Sequence, residues 1–90
     1  MDGKPVCNCH ESLASLLVPI SDLASDPANA NLHSSEQIQV IADSLKVFGM
    51  DQPLVVQKQG MIVRKGNGRL AAAKLLGWTH LPCLVVESRT

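Results

Sequence analysis

The sequence predicts a small α+β domain in which a mixed sheet carries helices packed against it. Three features lead there. Residues 34–48 read as one helix with a capped start and a single apolar stripe. Two short β-type runs, 52–57 and 61–65, flank the tight link Lys58-Gln59-Gly60. A two-glycine turn, Gly66-Asn67-Gly68-Arg69, then opens onto strong helix formers and a last apolar run at 81–86. With 90 residues there is room for one hydrophobic core and one domain.

Taken in order, residues 1–12 are polar, contain Gly3 and Pro5 and lack periodicity, so they read as a disordered leader; the domain occupies 13–90. Within the leader, Cys7, Cys9 and His10 are potential ligands for a tetrahedral zinc site. No second ligand pair follows at metal-site spacing, since His33, His80 and Cys83 are scattered singles, and no metal site is assigned. Leu16-Leu17-Val18-Pro19-Ile20 reads as a first strand, and Ser21-Asp22-Leu23 as a turn closed by a local side-chain bond. A polar loop with a proline and two asparagines, Asn29 and Asn31, covers residues 26–33.

Ser34 then suits an N-cap, and Gln37 three residues later completes a capping box. Ile38, Ile41, Ala42, Leu45 and Phe48 recur at helical spacing as a buried stripe, while Asp43, Ser44 and Lys46 turn to water. Gly49 ends this helix in a left-handed conformation. Pro53 marks the start of the next strand at an edge, where its missing N–H is tolerated. After the hairpin, residues 70–76 form a short helix stopped by Gly77, and residues 81–86 form the final strand, with Cys83 as buried packing.

Composition narrows the chemistry. Eight basic residues balance eight acidic ones, whereas a domain that grips duplex DNA unaided carries a basic excess. One Phe, one Trp and no Tyr leave no platform for stacking single-stranded bases. Three cysteines without a preceding secretory signal point to a reduced, cytoplasmic protein, and the longest apolar run, 16–20, is far too short to cross a bilayer.

What remains is the glycine turn. Gly66 and Gly68 lack a Cβ, so the backbone can turn sharply and approach a ligand closely. The first N–H groups of the following helix have no intrahelical partner and carry the positive end of its dipole. Arg69 adds a forked, permanently charged donor, and Arg64, Lys65 and Lys74 cluster around it. Such a turn can hold a phosphate, although glycine between a strand and a helix is common and an arginine near a helix start is often only solvated. The carboxylates available for an enzymatic reading, Asp22, Asp26 and Glu36, lack the paired spacing of metal-assisted phosphoryl transfer.

The helix ending in Phe48-Gly49, the strand Gln52-Pro53-Leu54-Val55-Val56, the hairpin, the Gly66-Asn67-Gly68-Arg69-Leu70-Ala71-Ala72-Ala73 turn and helix, and Leu81-Pro82 together resemble the ParB-like N-terminal domain. The resemblance runs from about residue 18 to 86 and is nearest to a compact subgroup found in phage and beside DNA methyltransferases. It implies the ParB/sulfiredoxin fold, shared with proteins often called ParB-like nucleases. It also implies a phosphate- or nucleotide-binding site made of Gly66, Asn67, Gly68 and Arg69, closed by Asn29 and Asn31 of the earlier loop. The ligand expected from the resemblance is CTP or another nucleoside triphosphate with Mg²⁺. The expected role is a nucleotide-binding module working with a DNA-binding or DNA-modifying partner, with a homodimer left open and no membrane. A nuclease or phosphotransferase is one alternative and a non-catalytic adaptor another.

Three departures from the family pattern matter. Many relatives carry Glu or His where Asn67 stands, and an amide cannot act as a general base near neutral pH. Sulfiredoxin requires a nucleophilic cysteine at the place matching Asn67, which excludes its reaction here. Relatives also carry an arginine near Asn31 that this chain lacks, removing one phosphate contact.

Overall fold

A computed structural model describes residues 6–26 and 34–87. The chain opens with a 3-10 helix, Glu11–Leu16, and strand β1, Leu17–Pro19. A second 3-10 turn, Ile20–Asp22, leads to the short strand β2, Ala24–Ser25. Helix α1 spans Ser35–Phe48, β3 Leu54–Gln57, β4 Ile62–Lys65, helix α2 Asn67–Leu76 and β5 His80–Val86. The strands form one mixed sheet in the order β1-β5-β3-β4-β2. β3 and β4 are an antiparallel hairpin, β5 returns parallel to β3 through the α2 crossover, β1 pairs antiparallel to β5, and β2 runs parallel to β4. This is the mixed α+β architecture expected.

Apolar residues from the sheet and from both helices meet in one core. Leu54, Val56, Val63 and Leu81 from the strands pack with Ala42 and Leu45 of α1 and with Leu70, Ala72 and Ala73 of α2. The alanines of α2 present little side chain, so the two helices can lie close together. No helix among the described residues is long and apolar enough to cross a membrane.

The capping box of α1 forms: the Gln37 N–H donates to Ser34 Oγ and the Ser34 N–H donates to Gln37 Oε1, each at 3.1 Å. The buried stripe is narrower than its spacing suggested. Ala42 and Leu45 are buried and Ile38 and Ile41 half-buried, but Phe48 is 83% exposed. Phe48 is the last residue of α1. Gly49 takes φ 76°, as a left-handed stop would, but its ψ of −178° keeps the chain extended instead of coiling it. Two elements went unforeseen: β2, only two residues long, and the 3-10 helix 11–16.

Residues 6–12, read from sequence as part of a leader, are bonded to the body of the fold. Asn8 and His10 exchange backbone hydrogen bonds with Met50 at 2.8 Å, and the Asn8 amide donates to Leu45 O at 3.1 Å at the C-terminal end of α1. The Thr79 N–H donates to Val6 O at 2.9 Å. Asn8 thereby adds a second donor to Leu45 O, which also accepts the Gly49 N–H at 2.9 Å, and supplies one to Lys46 O at 3.3 Å in the last turn.

Candidate functional site

Strand β4 delivers the chain to Gly66, which adopts φ 102° and ψ 20° and serves as the N-cap of α2. Only glycine is comfortable there, for two reasons. Positive φ is disfavoured for residues with a Cβ, and a Cβ at this position would overlap the Leu54 Cδ2 methyl in the core. The turn is therefore pressed directly onto β3. No side chain caps α2, and its first α-helical bond is Leu70 N–H to Gly66 O at 2.9 Å. The N–H groups of Asn67, Gly68 and Arg69 thus lack an intrahelical acceptor at the positive end of the helix. The helix begins at Asn67, three residues earlier than propensity alone placed it, so the whole turn belongs to its first turn.

The Asn67 side chain is committed inward. Its Nδ2 donates to Val63 O at 2.8 Å, and its Oδ1 accepts the Asp26 N–H at 3.1 Å. Asp26 is buried at 5% exposure, and its Oδ2 pairs with Arg64 Nη1 at 3.3 Å. Asn67 accordingly ties the end of β2 to the β4–α2 turn, which leaves its backbone N–H, not its amide, for a ligand. Of the candidate acids, Asp26 is held in this network, while Asp22 and Glu36 are exposed in the second 3-10 turn and the first turn of α1. Asn29 and Asn31 lie outside the described residues.

A space of about 320 Å³ opens over the turn, lined by Gly66, Asn67, Gly68, Arg69 and Ile41 of α1. Beside it lies a groove of about 530 Å³ along the C-terminal half of α1. Ile41, Leu45, Phe48 and Met50 form its apolar wall, with Ser44, Asp51 and Arg69 as its polar side chains. Ile41 and Arg69 line both spaces, so the two are adjacent. The turn was legible in the sequence. The groove was missed, because its residues were read as a buried stripe and a solvated face, and Asp51 was not singled out at all. The available signal was an exposed-face row, Val40, Ser44 and Phe48, at helical spacing beside the core row.

The cysteines stand apart from this site. Burial pushes the Cys83 thiol up to about 11. Burial, reinforced by a hydrogen bond that the Cys7 thiol donates to Cys9 and by the nearby Cys9 and Cys83 charges, pushes Cys7 up to about 12. Both stay protonated and poorly nucleophilic at neutral pH. His10 Nδ1 accepts the Ser12 N–H at 3.1 Å and caps the first 3-10 helix. Among the described residues no group of three or more His, Cys, Asp or Glu side chains is placed to hold a metal ion.

Comparison with known proteins gives a consistent picture. The family model described as the ParB N-terminal domain matches residues 9–90. The ParB-like nuclease domain-containing protein YnaK of Escherichia coli (strain K12) is 32% identical over 80 residues, covering 89% of this chain and 91% of that protein. Among solved structures, the C-terminally truncated chromosome-partitioning protein ParB from Caulobacter crescentus complexed with CTP-gamma-S superposes with a TM-score of 0.72 at 24% identity over 81% of this chain. This chain spans 44% of that protein. Sulfiredoxin from Arabidopsis thaliana superposes with a TM-score of 0.68 at 18% identity, over 80% of this chain and 85% of that one.

Proposed function

We propose that this chain, which belongs to the ParB N-terminal domain family, binds a nucleoside triphosphate, with the phosphates on the Gly66–Arg69 turn and the nucleoside in the groove along α1. The observation that carries the reading is the position of Arg69. Arg69 lines both spaces, and no carboxylate among the described residues pairs with it. A phosphate seated over the turn would take the N–H groups of Asn67, Gly68 and Arg69 together with the guanidinium fork. The apolar wall of Ile41, Leu45 and Phe48 suits the faces of a planar ring. The CTP-gamma-S complex of the Caulobacter protein, which shares this fold, supports a nucleotide as the ligand.

A ligand held this way touches α1 and α2 at once and favours the arrangement in which both helices contact it. Binding only the folded form at one hundred times Kd would stabilise it by about 2.7 kcal/mol. A Mg²⁺ ion, lacking a cage of protein carboxylates at this turn, would be held chiefly by the phosphate oxygens and water. The role is binding and switching, in support of a DNA-binding or DNA-modifying partner, inside a reducing cytoplasm that suits three free thiols. With the Asn67 amide committed to Val63 and Asp26, the turn offers no side chain to serve as a general base.

Calorimetric titration with CTP, ATP and GTP, with and without Mg²⁺, tests the reading on wild type and Arg69→Ala. Hydrogen bonds to a charged group are worth about 1.5–3 kcal/mol, so the variant is expected to bind tenfold to a hundredfold more weakly. Its unfolding midpoint should stay near wild type, because Arg69 is outside the core. Equal affinity in the variant, or no binding by wild type, overturns it.

A further inference from the structure

We propose that Cys7 and Cys9 close into a reversible disulfide by exchange with a small-molecule disulfide, and that closing it loosens the segment that holds the end of α1. The inference is independent of the nucleotide reading. Exposure alternates along residues 6–10: Val6, Asn8 and His10 are exposed, while Cys7 and Cys9 are half-buried. A period of two is that of extended chain, with both thiols on one side of the segment and Asn8 on the other. The Cys7 thiol donates a hydrogen bond to Cys9, so the two sulfur atoms already lie within reach of each other. Both cysteines are free and partly open to solvent. Cys83 lies near enough for its charge to act on Cys7. It is only 3% exposed, however, and its thiol donates to Leu81 O at 3.4 Å, which shields it from a soluble oxidant.

The order of events follows from which thiol keeps its proton. Burial and the neighbouring Cys9 hold the proton on Cys7, so attack falls to Cys9. With glutathione disulfide as the oxidant, the Cys9 thiolate displaces one glutathione thiolate and forms a mixed disulfide. Capping Cys9 removes its charge and the hydrogen bond it accepted, two of the causes that kept Cys7 protonated. Cys7 then passes its proton to the released glutathione, and its sulfur displaces the second glutathione from Cys9. The Cys9 proton, lost to water at the start, is taken up by that second leaving group. Two protein thiols are oxidised to one disulfide, and one glutathione disulfide is reduced to two thiols. Geometry sets the consequence. Two residues of extended chain span about 6.4–6.8 Å, whereas bridged cysteines favour a Cα separation of about 5.5–6 Å. Closure therefore contracts the segment at Asn8, whose amide bonds Leu45 O and Lys46 O at 3.1 and 3.3 Å and whose carbonyl accepts the Met50 N–H at 2.8 Å. A ring closed over a single intervening residue returns little chain entropy, and a strained disulfide is readily reduced again.

The full chain is incubated with glutathione disulfide, unfolded, alkylated with N-ethylmaleimide and weighed. Wild type should lose two hydrogens and offer one alkylatable thiol in place of three. The loss should fall in the peptide carrying both Cys7 and Cys9, unlinked to the one carrying Cys83. Cys83→Ala should lose the same two hydrogens, whereas Cys7→Ser should stop at a glutathione adduct on Cys9. Oxidised wild type should unfold at a lower urea concentration than reduced, the reverse of the usual effect of a disulfide, and dithiothreitol should restore the midpoint. Three alkylatable thiols after treatment, or a bridge to Cys83, overturns the assignment. A bond between Cys7 and Cys9 that leaves the urea midpoint unchanged or raises it overturns the loosening of the segment.

Discussion

Replacing Gly66 by alanine tests how closely the anion-binding turn is pressed onto the core. Two separable costs follow from the geometry. The first is conformational: a residue with a Cβ at φ 102° and ψ 20° costs about 1–2 kcal/mol. A few tenths to about 1 kcal/mol of that is returned through the lower entropy of the unfolded chain. The second is steric. The new methyl would overlap Leu54 Cδ2 and approach Leu54 Cγ to 3.4 Å. Leu54 is 1% exposed and cannot swing away, so overpacking adds about 1–3 kcal/mol. The expected net loss is about 2–4 kcal/mol.

Gly77→Ala supplies the control. Gly77 has φ 77° and ψ 21°, a similar conformation, but a Cβ there meets nothing within 4 Å. It should lose only the conformational part, about 1 kcal/mol or less. At roughly 4–8 °C per kcal/mol for a domain of this size, the two variants should melt well apart. Urea unfolding followed by far-UV circular dichroism gives the difference directly. Leu54→Val offers a second check: it should cost on the order of 1 kcal/mol in wild type and much less in the Gly66→Ala background, where it relieves the overlap. If Gly66→Ala and Gly77→Ala unfold at the same urea concentration, the claim that Leu54 enforces glycine at the turn is refuted.

Asn67→Ala removes the donor to Val63 O and the acceptor of the Asp26 N–H, and should cost about 1–3 kcal/mol in urea unfolding; an unchanged midpoint would show that these bonds do not tie β2 to the turn. For Cys83 the pH dependence has a fixed sign. Below pH 9, the ordinary value of a thiol, folded and unfolded states both keep the proton. Between there and about 11 the unfolded thiol ionises while the folded one does not. Stability should therefore fall as pH rises through that window, by up to about 1.4 kcal/mol per pH unit, and Cys83→Ala should reduce the slope. An identical slope in that variant would exclude burial of this thiol as its source.

The parts of the fold legible in the sequence are those determined by neighbours in the chain. The box of Ser34 and Gln37, the stop at Gly77 and the hairpin around Lys58-Gln59-Gly60 each depend on residues a few positions apart. What went unread depends on partners far along the chain. β2 has only two residues, and it is a strand because Ala24 and Ser25 align with Ile62 and Val63 of β4. Residues 6–12 show no periodicity of their own, yet Asn8 bonds Leu45 O across 37 positions of sequence. A polar segment held to the fold by bonds to distant elements carries no pattern that a local reading can detect.

The same distinction divides the candidate site. Its phosphate end is local: two glycines, an arginine and a helix start are consecutive, and the backbone chemistry of that sequence can be worked out residue by residue. Its groove is not. Phe48 has the spacing of a core residue, yet in the fold it is 83% exposed, because tertiary packing and not helical period decides which residues are covered. Asp51 is an unremarkable loop carboxylate in sequence, and it joins the lining of the groove only where the bonds of Met50 to Asn8 and His10 hold the chain after α1. The anion end could thus arise from almost any chain with a suitable turn, whereas the groove that would distinguish one nucleotide from another requires this particular packing. Selectivity should accordingly be more sensitive than phosphate affinity to substitutions around Asn8, Gly49 and Met50, residues that hold the groove in shape without lining the turn.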